Sequence, residues 1–363
     1  ADTAKGGLMN PDGGKGQPKA IRVLLVDDSP VALHVLKKML SGARDIEVAG
    51  TAANGEEALG MIPRLDPHVI CTDIHMPVMD GIGLTQEVMD RFPKPILVIS
   101  VSAKNPESRN VFKVLQLGAL DIFPKPSGEE PGYEGQALEL QSRIRILAGV
   151  HVFRRVRKQE PIPYPRAVSA AKPRAAPNVF VIGASTGGPQ ALQEILSRLP
   201  ADFPAPVVCV QHIGEGFMTG LVEWLGSMCR LKVKQAEDNE TPAPGTAYFP
   251  EDGRHLVFDS SGRFRHSKDE PVNGHRPSIT VTMRSAAETF KSSSAGILLT
   301  GMGDDGAEGM KAIGDAGGFT IAQDERTSVI FSMPNAAIGL KAVRLVLPLE
   351  DIAGRLVALS SNG

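Results

Sequence analysis

The sequence predicts two α/β units, each a doubly wound parallel sheet covered by helices, joined by a linker. In both halves of the chain, short continuous apolar runs alternate with amphipathic segments, as expected for strands buried on both faces. Between the halves, a basic stretch leads into a segment with five prolines from Pro161 to Pro177, a composition typical of an extended linker. The length of 363 residues suits two domains of ordinary size.

The first unit, residues 21–150, is predicted to alternate five strands with five helices, after a disordered lead-in over residues 1–20. Ile21–Val26 is an apolar first strand, and Ser29 and Pro30 then supply an N-cap and a first-turn proline for a helix to about Leu40. The other predicted strands are 46–51, 68–72, 96–100 and 119–123, and the other predicted helices are 55–62, 83–91, 106–117 and 134–147.

The second unit, residues 178–363, follows a linker assigned to residues 151–177. Its predicted strands are 179–182, 206–210, 296–300, 319–322 and 345–347, and its predicted helices are 189–199, 217–228, 278–290 and 307–316. Residues 237–275 show little regular pattern and are predicted to form polar loops.

Composition excludes several classes of function. The formal net charge is -2 and aromatic residues make up 5%, so the chain has neither a global basic field nor an aromatic platform for nucleic acid. Cys71, Cys209 and Cys229 lack metal-site spacing, and no apolar run reaches the roughly 18 residues of a membrane span. These features and the apolar-poor N-terminus predict a cytoplasmic protein without nucleic-acid binding or membrane insertion.

Acidic residues follow two neighbouring strands of the first unit. Asp27 and Asp28 come after the first strand and Asp73 after the third, so they converge on one edge of the sheet. Three carboxylates repel one another unless a hard cation lies among them, and Mg²⁺ suits oxygen ligands. Ser100 ends the fourth strand and Lys125 follows the fifth. The set predicts a phosphoryl site with Asp73 as nucleophile and Ser100 and Lys125 as ligands of the phosphoryl oxygens.

Residues 21–127 resemble a response-regulator receiver domain, which has a flavodoxin-like (βα)5 fold. The motifs that carry the resemblance are VDDSP at 26–30, DIHMPVMDG at 73–81, the strand-terminal Ser100 and KP at 125–126. The resemblance implies phosphorylation of Asp73 by a partner histidine kinase, with Mg²⁺, and a switch in which Ser100 moves toward the phosphoryl group. Ile122 stands where the family often has an aromatic residue, so the aromatic part of that switch is not expected here.

A serine lies on a tight strand-to-helix turn at the start of the second unit. The strand at 179–182 runs into Gly183-Ala184-Ser185-Thr186-Gly187-Gly188, and Pro189 then opens a helix. A G-x-S-x-G turn of this kind is either a nucleophile elbow or a nucleotide-binding loop. The glycine spacing does not match the dinucleotide fingerprint, the next strand ends in Gln211-His212 rather than an acid, and no Tyr-x-x-x-Lys is present. These points favour the nucleophile elbow.

An acyl-transfer triad is predicted from three strand ends. Ser185, His212 and Asp305 each follow a parallel strand of the second unit and so share its carboxyl edge. They supply the nucleophile, general base and orienting acid of acyl transfer. An α/β-hydrolase order, Ser…Asp…His, would instead need a later histidine and an acid such as Asp238; it ranks lower. Those later histidines all lie in the irregular stretch: His255, His266 and His275.

Residues 178–350 resemble the catalytic domain of the chemotaxis protein-glutamate methylesterases, the CheB family. The resemblance rests on IGASTGG at 182–188, QHIGEGF at 211–217, PVNGHRPS at 271–278, LLTGMGDDG at 298–306 and IAQDE at 321–325.

This resemblance implies catalytic Ser185, His212 and Asp305, with Thr186 as a supporting hydroxyl and the backbone around Met302 in the oxyanion site. The implied substrates are glutamate methyl esters of chemoreceptors, with glutamine deamidation by the same chemistry in many members. No cofactor is expected for the esterase chemistry, and a monomer is expected.

Two departures from the family pattern fall near the expected substrate groove. Thr280 stands where an aspartate is usual, and Gly274 where an arginine is common. A further hypothesis keeps the receiver but makes the second unit a non-catalytic module that binds a receptor or a kinase. A transcriptional regulator is disfavoured because no helix-turn-helix and no basic excess are evident.

Overall fold

The computed structural model describes residues 20–101, 108–126, 133–150, 152 and 176–361. The predicted lead-in through residue 19 and most of the predicted linker, residues 153–175, lie outside the described residues. Among the described residues, no helix combines the length and the apolar character needed to span a membrane.

The first unit has the predicted five-stranded parallel sheet, in the order β2-β1-β3-β4-β5. Its strands are β1 (Ile21–Val26), β2 (Ile46–Ala52), β3 (Val69–Thr72), β4 (Ile96–Ser100) and β5 (Asp121–Pro124). Its helices are α1 (Pro30–Ser41), α2 (Gly55–Leu65), α3 (Gly81–Arg91), α4 (Ser108–Leu117) and α5 (Tyr133–Leu147). Helix α2 continues past the predicted end at residue 62 and includes Pro63.

Local caps explain where these helices begin. The side chains of Ser29, Asn54 and Asp80 accept hydrogen bonds from backbone amides in the first turns of α1, α2 and α3. The central strands β3 and β4 are buried along their whole length, as expected for a parallel sheet with helices on both faces. This rigid sheet places the ends of β1, β3, β4 and β5 side by side.

The second unit is built on a seven-stranded parallel sheet in the order β14-β13-β12-β6-β7-β9-β8, with a separate antiparallel ribbon, β10-β11. Its strands are β6 (Val179–Ala184), β7 (Val207–Gln211), β8 (Lys232–Gln235), β9 (Thr246–Phe249), β10 (His255–Phe258), β11 (Phe264–Ser267), β12 (Ser294–Leu298), β13 (Phe319–Gln323) and β14 (Leu345–Leu347). Its helices are α6 (Gly188–Leu196), α7 (Met218–Gly226), α8 (Ile279–Phe290), α9 (Ala307–Asp315), α10 (Ser332–Gly339) and α11 (Leu349–Ser360).

Four strands and two helices of this unit were not predicted. The prediction of polar loops over 237–275 is wrong, because β9, β10 and β11 lie there. The strands were missed because they are only four residues long and β8 and β11 are largely polar, so they lack a continuous apolar run. The chain places β7 on one side of β6 and later places β12 on its other side, so the strand order switches at β6. In parallel sheets, ligands bind outside the carboxyl ends of the strands at such a switch point, so we expect a site there.

Candidate active site and candidate phosphoacceptor site

The structure brings the three predicted acids of the first unit together. Each of Asp27, Asp28 and Asp73 offers a carboxylate oxygen, and these oxygens lie within 4.8 Å of one another. Asp27 and Asp73 are buried, whereas Asp28 is exposed. The backbone fixes the two buried groups, because Ser29 N donates to Asp27 Oδ1 at 2.9 Å and Ile74 N donates to Asp73 Oδ1 at 2.7 Å.

Lys125 is the counter-charge of this cluster. Its Nζ lies 2.7 Å from Asp27 Oδ2 and 2.9 Å from Asp73 Oδ2. Burial opposes the charge on Lys125, but the two carboxylates raise its pKa above the ordinary value. The pKa of Asp27 is also raised, because burial outweighs its bonds to Lys125 and Ser29. One ammonium cannot neutralise three carboxylates, so the oxygen-only donor set fits a divalent cation such as Mg²⁺.

The remaining predicted residue of the phosphoryl site, Ser100, is bonded through its backbone to Lys125. Ser100 is buried at the end of β4, and Lys125 N donates to its carbonyl oxygen at 2.8 Å. Ile122 is buried in β5 rather than presented to solvent.

In the second unit, the predicted nucleophile Ser185 lies on the turn between β6 and α6 and is 8% exposed. Gly188 N donates to Ser185 O at 2.7 Å, and Gly187 has a φ of +77°, so the chain turns sharply at the serine. A Cβ on Gly188 would come 2.1 Å from Gln211 Oε1, and a Cβ on Gly301 would come 2.7 Å from Ser185 Cβ. Both glycines therefore make room for the serine turn.

Gln211 ties the serine turn to the histidine, a role the sequence did not suggest. Its Nε2 donates to Ser185 O and to His212 O, both at 2.8 Å. Gln211 is the last residue of β7 and is buried, so its amide holds the two strand ends at a fixed spacing.

His212 and Asp305 form a buried pair. His212 Nε2 lies 2.9 Å from Asp305 Oδ2. An ionised carboxylate only accepts, so Nε2 carries the proton and Nδ1 is the nitrogen with the lone pair. Among the described residues, Nδ1 is buried without a hydrogen-bond partner. An unprotonated ring nitrogen without a hydrogen-bond partner is what a general base requires before substrate binds.

Asp305 lies between the N-termini of two helices, α8 and α9. Its Oδ2 accepts from Ile279 N at 2.7 Å, and its Oδ1 accepts from Thr280 N at 3.0 Å and Gly306 N at 2.9 Å. Burial would raise the pKa of Asp305, but the bonds from His212 and Thr280 hold it well below the usual range. Asp305 is therefore a fixed, ionised acceptor.

Two residues of α8 and its cap complete the support of Asp305. Ser278 is the N-cap of α8, and its Oγ lies 2.9 Å from Asp305 Oδ1. Thr280 Oγ1 accepts from Gly306 N at 2.8 Å, so the departure from aspartate at this position supplies a neutral acceptor beside Asp305.

In the loop around Met302, the backbone amides on both sides of Met302 already donate hydrogen bonds. Gly301 N donates to Ile330 O at 3.0 Å, and Gly303 N donates to Ser332 Oγ at 3.1 Å. Within this loop, the amide of Met302 is thus the candidate oxyanion donor.

The geometry disfavours the alternative histidines as catalytic bases. His255 Nδ1 accepts from Ser278 N at 3.1 Å, and its Nε2 lies 3.2 Å from Glu270 O. His266 Nε2 lies 2.9 Å from Ala236 O, and Asp238 bonds the backbone of His266 rather than its ring. His275 instead stacks on His212.

Comparisons with known proteins identify both halves. A family model described as CheB methylesterase matches residues 180–356, and one described as response regulator receiver domain matches residues 23–133. A protein-glutamate methylesterase/protein-glutamine glutaminase of Methanospirillum hungatei is 43% identical, over 94% of this chain and 99% of that protein. The chain belongs to the protein-glutamate methylesterase family.

Other relatives agree with this assignment. A methylesterase/glutaminase of Anaeromyxobacter dehalogenans is 43% identical over 95% of this chain and 98% of its own length. The solved Thermotoga maritima CheB methylesterase catalytic domain is 39% identical and aligns with a TM-score of 0.50, covering 51% of this chain and 100% of that chain.

In this methylesterase, the receiver packs directly over the serine side of the candidate active site. Thr186 Oγ1 donates to Asp121 Oδ2 of the receiver at 2.7 Å, and Gln190 Nε2 donates to Ala119 O at 2.7 Å. Asp121 is also paired with Arg143, at 2.8 Å. The residue that follows the serine is thus held by the receiver's last strand, which the sequence did not reveal.

The rest of the interface surrounds this contact. Phe112 of α4 stacks on Trp224 of α7 with ring centroids 5.7 Å apart. Ser142 Oγ of α5 lies 3.9 Å from Met302 Sδ. Contacts to both Thr186 and Met302 place the receiver across the route to Ser185.

Proposed function

We propose that this methylesterase hydrolyses glutamate methyl esters on the cytoplasmic region of chemoreceptors, through Ser185, His212 and Asp305. Ser185 Oγ attacks the ester carbonyl carbon while His212 Nδ1 takes its proton. The tetrahedral oxyanion is held by the amide of Met302, with Thr186 as a supporting hydroxyl. His212 then returns the proton to the leaving oxygen, and methanol departs from an acyl-serine.

The second half of the reaction uses the same groups. His212 takes a proton from water, the hydroxide attacks the acyl carbonyl, and Ser185 leaves with the proton from His212. The receptor keeps a free glutamate carboxylate. A glutamine side chain that follows the same route loses ammonia instead of methanol, as the names of the relatives suggest for glutaminase activity. Asp305 fixes the tautomer of His212 throughout and stabilises the imidazolium form.

We propose that the receiver controls this chemistry through Asp73. Asp73 takes a phosphoryl group from a partner histidine kinase, and Asp27, Asp28 and Asp73 hold Mg²⁺. The ion, when bound, neutralises the negative charge that accumulates in phosphoryl transfer. Ser100 and Lys125 bind the phosphoryl oxygens. Lys125 therefore exchanges its ion pairs with Asp27 and Asp73 for a bond to a phosphoryl oxygen. Because Lys125 directly follows β5, this exchange acts on the strand that holds Thr186.

We propose the domain boundaries 21–150 and 178–363, with a linker between them, and a monomeric enzyme. The members of the proposed triad all follow strands of one sheet, so the proposed reaction needs no residue from a second copy. The hypothesis of a non-catalytic binding module is not favoured, because a buried, ionised Asp305 with an oriented His212 has no use in a passive docking surface.

The observation that carries the proposal is the His212–Asp305 pair at 2.9 Å, with His212 Nδ1 buried and unpartnered among the described residues. The test is methanol release from methylated receptor by the full chain and by Ser185→Ala. We expect loss of turnover by about 10⁵–10⁶-fold, to background, because no other nucleophile replaces the hydroxyl.

Ser260→Ala, an exposed turn position, is the matched control and should keep full activity. Normal turnover by Ser185→Ala would refute the assignment of the nucleophile. Lack of turnover by the unchanged, phosphorylated chain on every methylated receptor would refute the function.

A further inference from the structure

A second histidine lies against the proposed general base. The rings of His212 and His275 are nearly parallel, with an angle of 6° between planes and 3.9 Å between centroids. His275 belongs to the loop that precedes α8, far in sequence from the strand end that carries His212. Neither His212 Nε2, which bonds Asp305, nor the unpartnered Nδ1 is engaged by His275, so the contact is between ring faces.

The loop is built to hold this ring in place. Val272 and His275 exchange two backbone hydrogen bonds, at 3.1 and 3.0 Å, across a two-residue turn. Asn273 and Gly274 have φ values of +52° and +79°, the left-handed pair typical of a tight hairpin turn. Glycine at 274, rather than the arginine common in the family, therefore suits the turn that presents His275.

The far side of His275 is anchored as well. Arg276 Nη1 donates to Lys268 O and Asp269 O, both at 3.3 Å. Ser278 N donates to His255 Nδ1 at 3.1 Å. These bonds hold the backbone on the C-terminal side of His275 in place.

The charges around His275 favour its neutral form. The pKa of His275 is lowered to about 4; burial is the largest cause, and His212 and Arg143 act in the same direction. Asp305 and Glu139 act in the opposite direction but do not compensate. At neutral pH, the face that His212 meets is therefore an uncharged aromatic ring.

We propose that His275 is a positioning residue of the hydrolase reaction, whose stacked neutral ring orients His212 and stabilises its imidazolium form. The proposal rests on the role of His212 as general base given above. When His212 takes the proton of Ser185, it becomes a cation directly over the π face of His275. A cation over a desolvated aromatic face is stabilised, and the same face excludes water from that side of the base.

The kinetic test uses the full chain with methylated receptor at pH 7 to 8. His275→Ala should lower kcat about 10- to 30-fold, with KM changed less than about 2-fold, because the proposed effect acts on the His212 cation that forms during the reaction; this corresponds to about 1.4–2 kcal/mol of activation free energy. His275→Phe, which restores a flat neutral ring, should return kcat to within about 3-fold of the unchanged protein.

His266→Ala is the control, because that ring bonds Ala236 O and does not contact His212. Thermal melting of each variant separates loss of folding from loss of positioning. Full kcat in His275→Ala would overturn the proposal. Equal defects in His275→Ala and His275→Phe, at unchanged melting temperature, would also overturn it, because a nitrogen rather than a ring face would then be required.

A second measurement does not depend on activity. Histidine ring signals followed by NMR in the unchanged protein should show His275 in its neutral form from pH 8 down to pH 5. A protonated His275 above pH 6 would overturn the proposal, since two stacked cations would repel. These outcomes are distinct from failure of the proposed function, in which the unchanged protein and Ser185→Ala would be equally inactive.

Discussion

The sites at the carboxyl edges of the two sheets differ in how the negative charge of their acids is balanced. In the receiver, three acids converge, Lys125 is the one cation paired with them within the described part of the chain, and burial raises the pKa of Asp27. In the catalytic domain, one acid, Asp305, accepts hydrogen bonds from five surrounding groups, and its pKa is held low. The carboxyl edges of the two sheets thus carry an acid cluster with excess negative charge in one domain and a single, fully hydrogen-bonded acid in the other.

This difference suits one site to switching and the other to catalysis. A site with excess negative charge is completed only by a cation and rearranges when a phosphoryl group arrives. A site whose polar groups are already paired is preorganised, which is the condition for electrostatic catalysis. The predictions below test each half of this contrast.

The largest effect is expected at the preorganised site. Asp305→Asn should lower kcat about 10⁴-fold, because an amide cannot hold the Nε2–H tautomer of His212 and presents hydrogens to backbone donors. Methanol release with purified methylated receptor measures this. Asp304→Asn, the exposed neighbour, is the control and should retain at least half the activity. A loss below tenfold in Asp305→Asn would mean that Asp305 is not the orienting acid.

At the unbalanced site, Asp73→Asn should abolish stimulation by acetyl phosphate and Mg²⁺ while leaving basal turnover intact. The amide cannot accept the phosphoryl group, yet the catalytic domain is unchanged. Stimulation is measured as the ratio of methanol release with and without the phosphodonor, and removal of Mg²⁺ by a chelator should have the same effect on the unchanged protein. Asp90→Asn on the exposed face of α3 is the control. Undiminished stimulation in Asp73→Asn would place the phosphoacceptor elsewhere.

The smallest effect is expected at the contact between the two domains. Asp121→Ala removes the acceptor of Thr186 and one partner of Arg143, so basal turnover should rise about 5- to 10-fold, as expected for one lost hydrogen bond of about 1–1.4 kcal/mol. Asp45→Ala is the control, since it breaks a comparable pair with Arg145 of α5 that does not contact the catalytic domain. Unchanged or lower basal turnover in Asp121→Ala would show that this contact does not restrain the enzyme.

The sequence alone predicts the strands and helices that have strong local patterns of apolar residues. The buried strands β1, β3, β6 and β7 were predicted to within two residues, because continuous apolar runs mark strands covered on both faces. Helix α11 was not predicted, although its sequence has the apolar spacing of a helix. Its buried face consists of Ile352, Ala353, Leu356 and Leu359. The four-residue strands β8, β9, β10 and β11 are too short for such a pattern to stand out.

From the sequence, candidate site residues could be predicted where an acid, a serine or a histidine stands at the end of a predicted strand. Asp73, Ser185 and His212 are candidates from the sequence because parallel topology brings strand ends to one edge. Gln211, His275 and Asp121 were not found, since their roles depend on side-chain contacts between distant segments or between domains. No periodicity in the sequence encodes those contacts.

The position of Asp121 has a kinetic consequence. It contacts Thr186 but no member of the His212–Asp305 pair, whose bonds all come from the catalytic domain. Under the proposed control, covered and uncovered molecules therefore contain the same His212–Asp305 pair and differ in the access of substrate and in whether the receiver engages Thr186 Oγ1. Partial phosphorylation then produces a mixture of silent and fully competent molecules, rather than one species of intermediate rate. In such a mixture Vmax rises in proportion to the uncovered fraction while the KM for receptor stays constant.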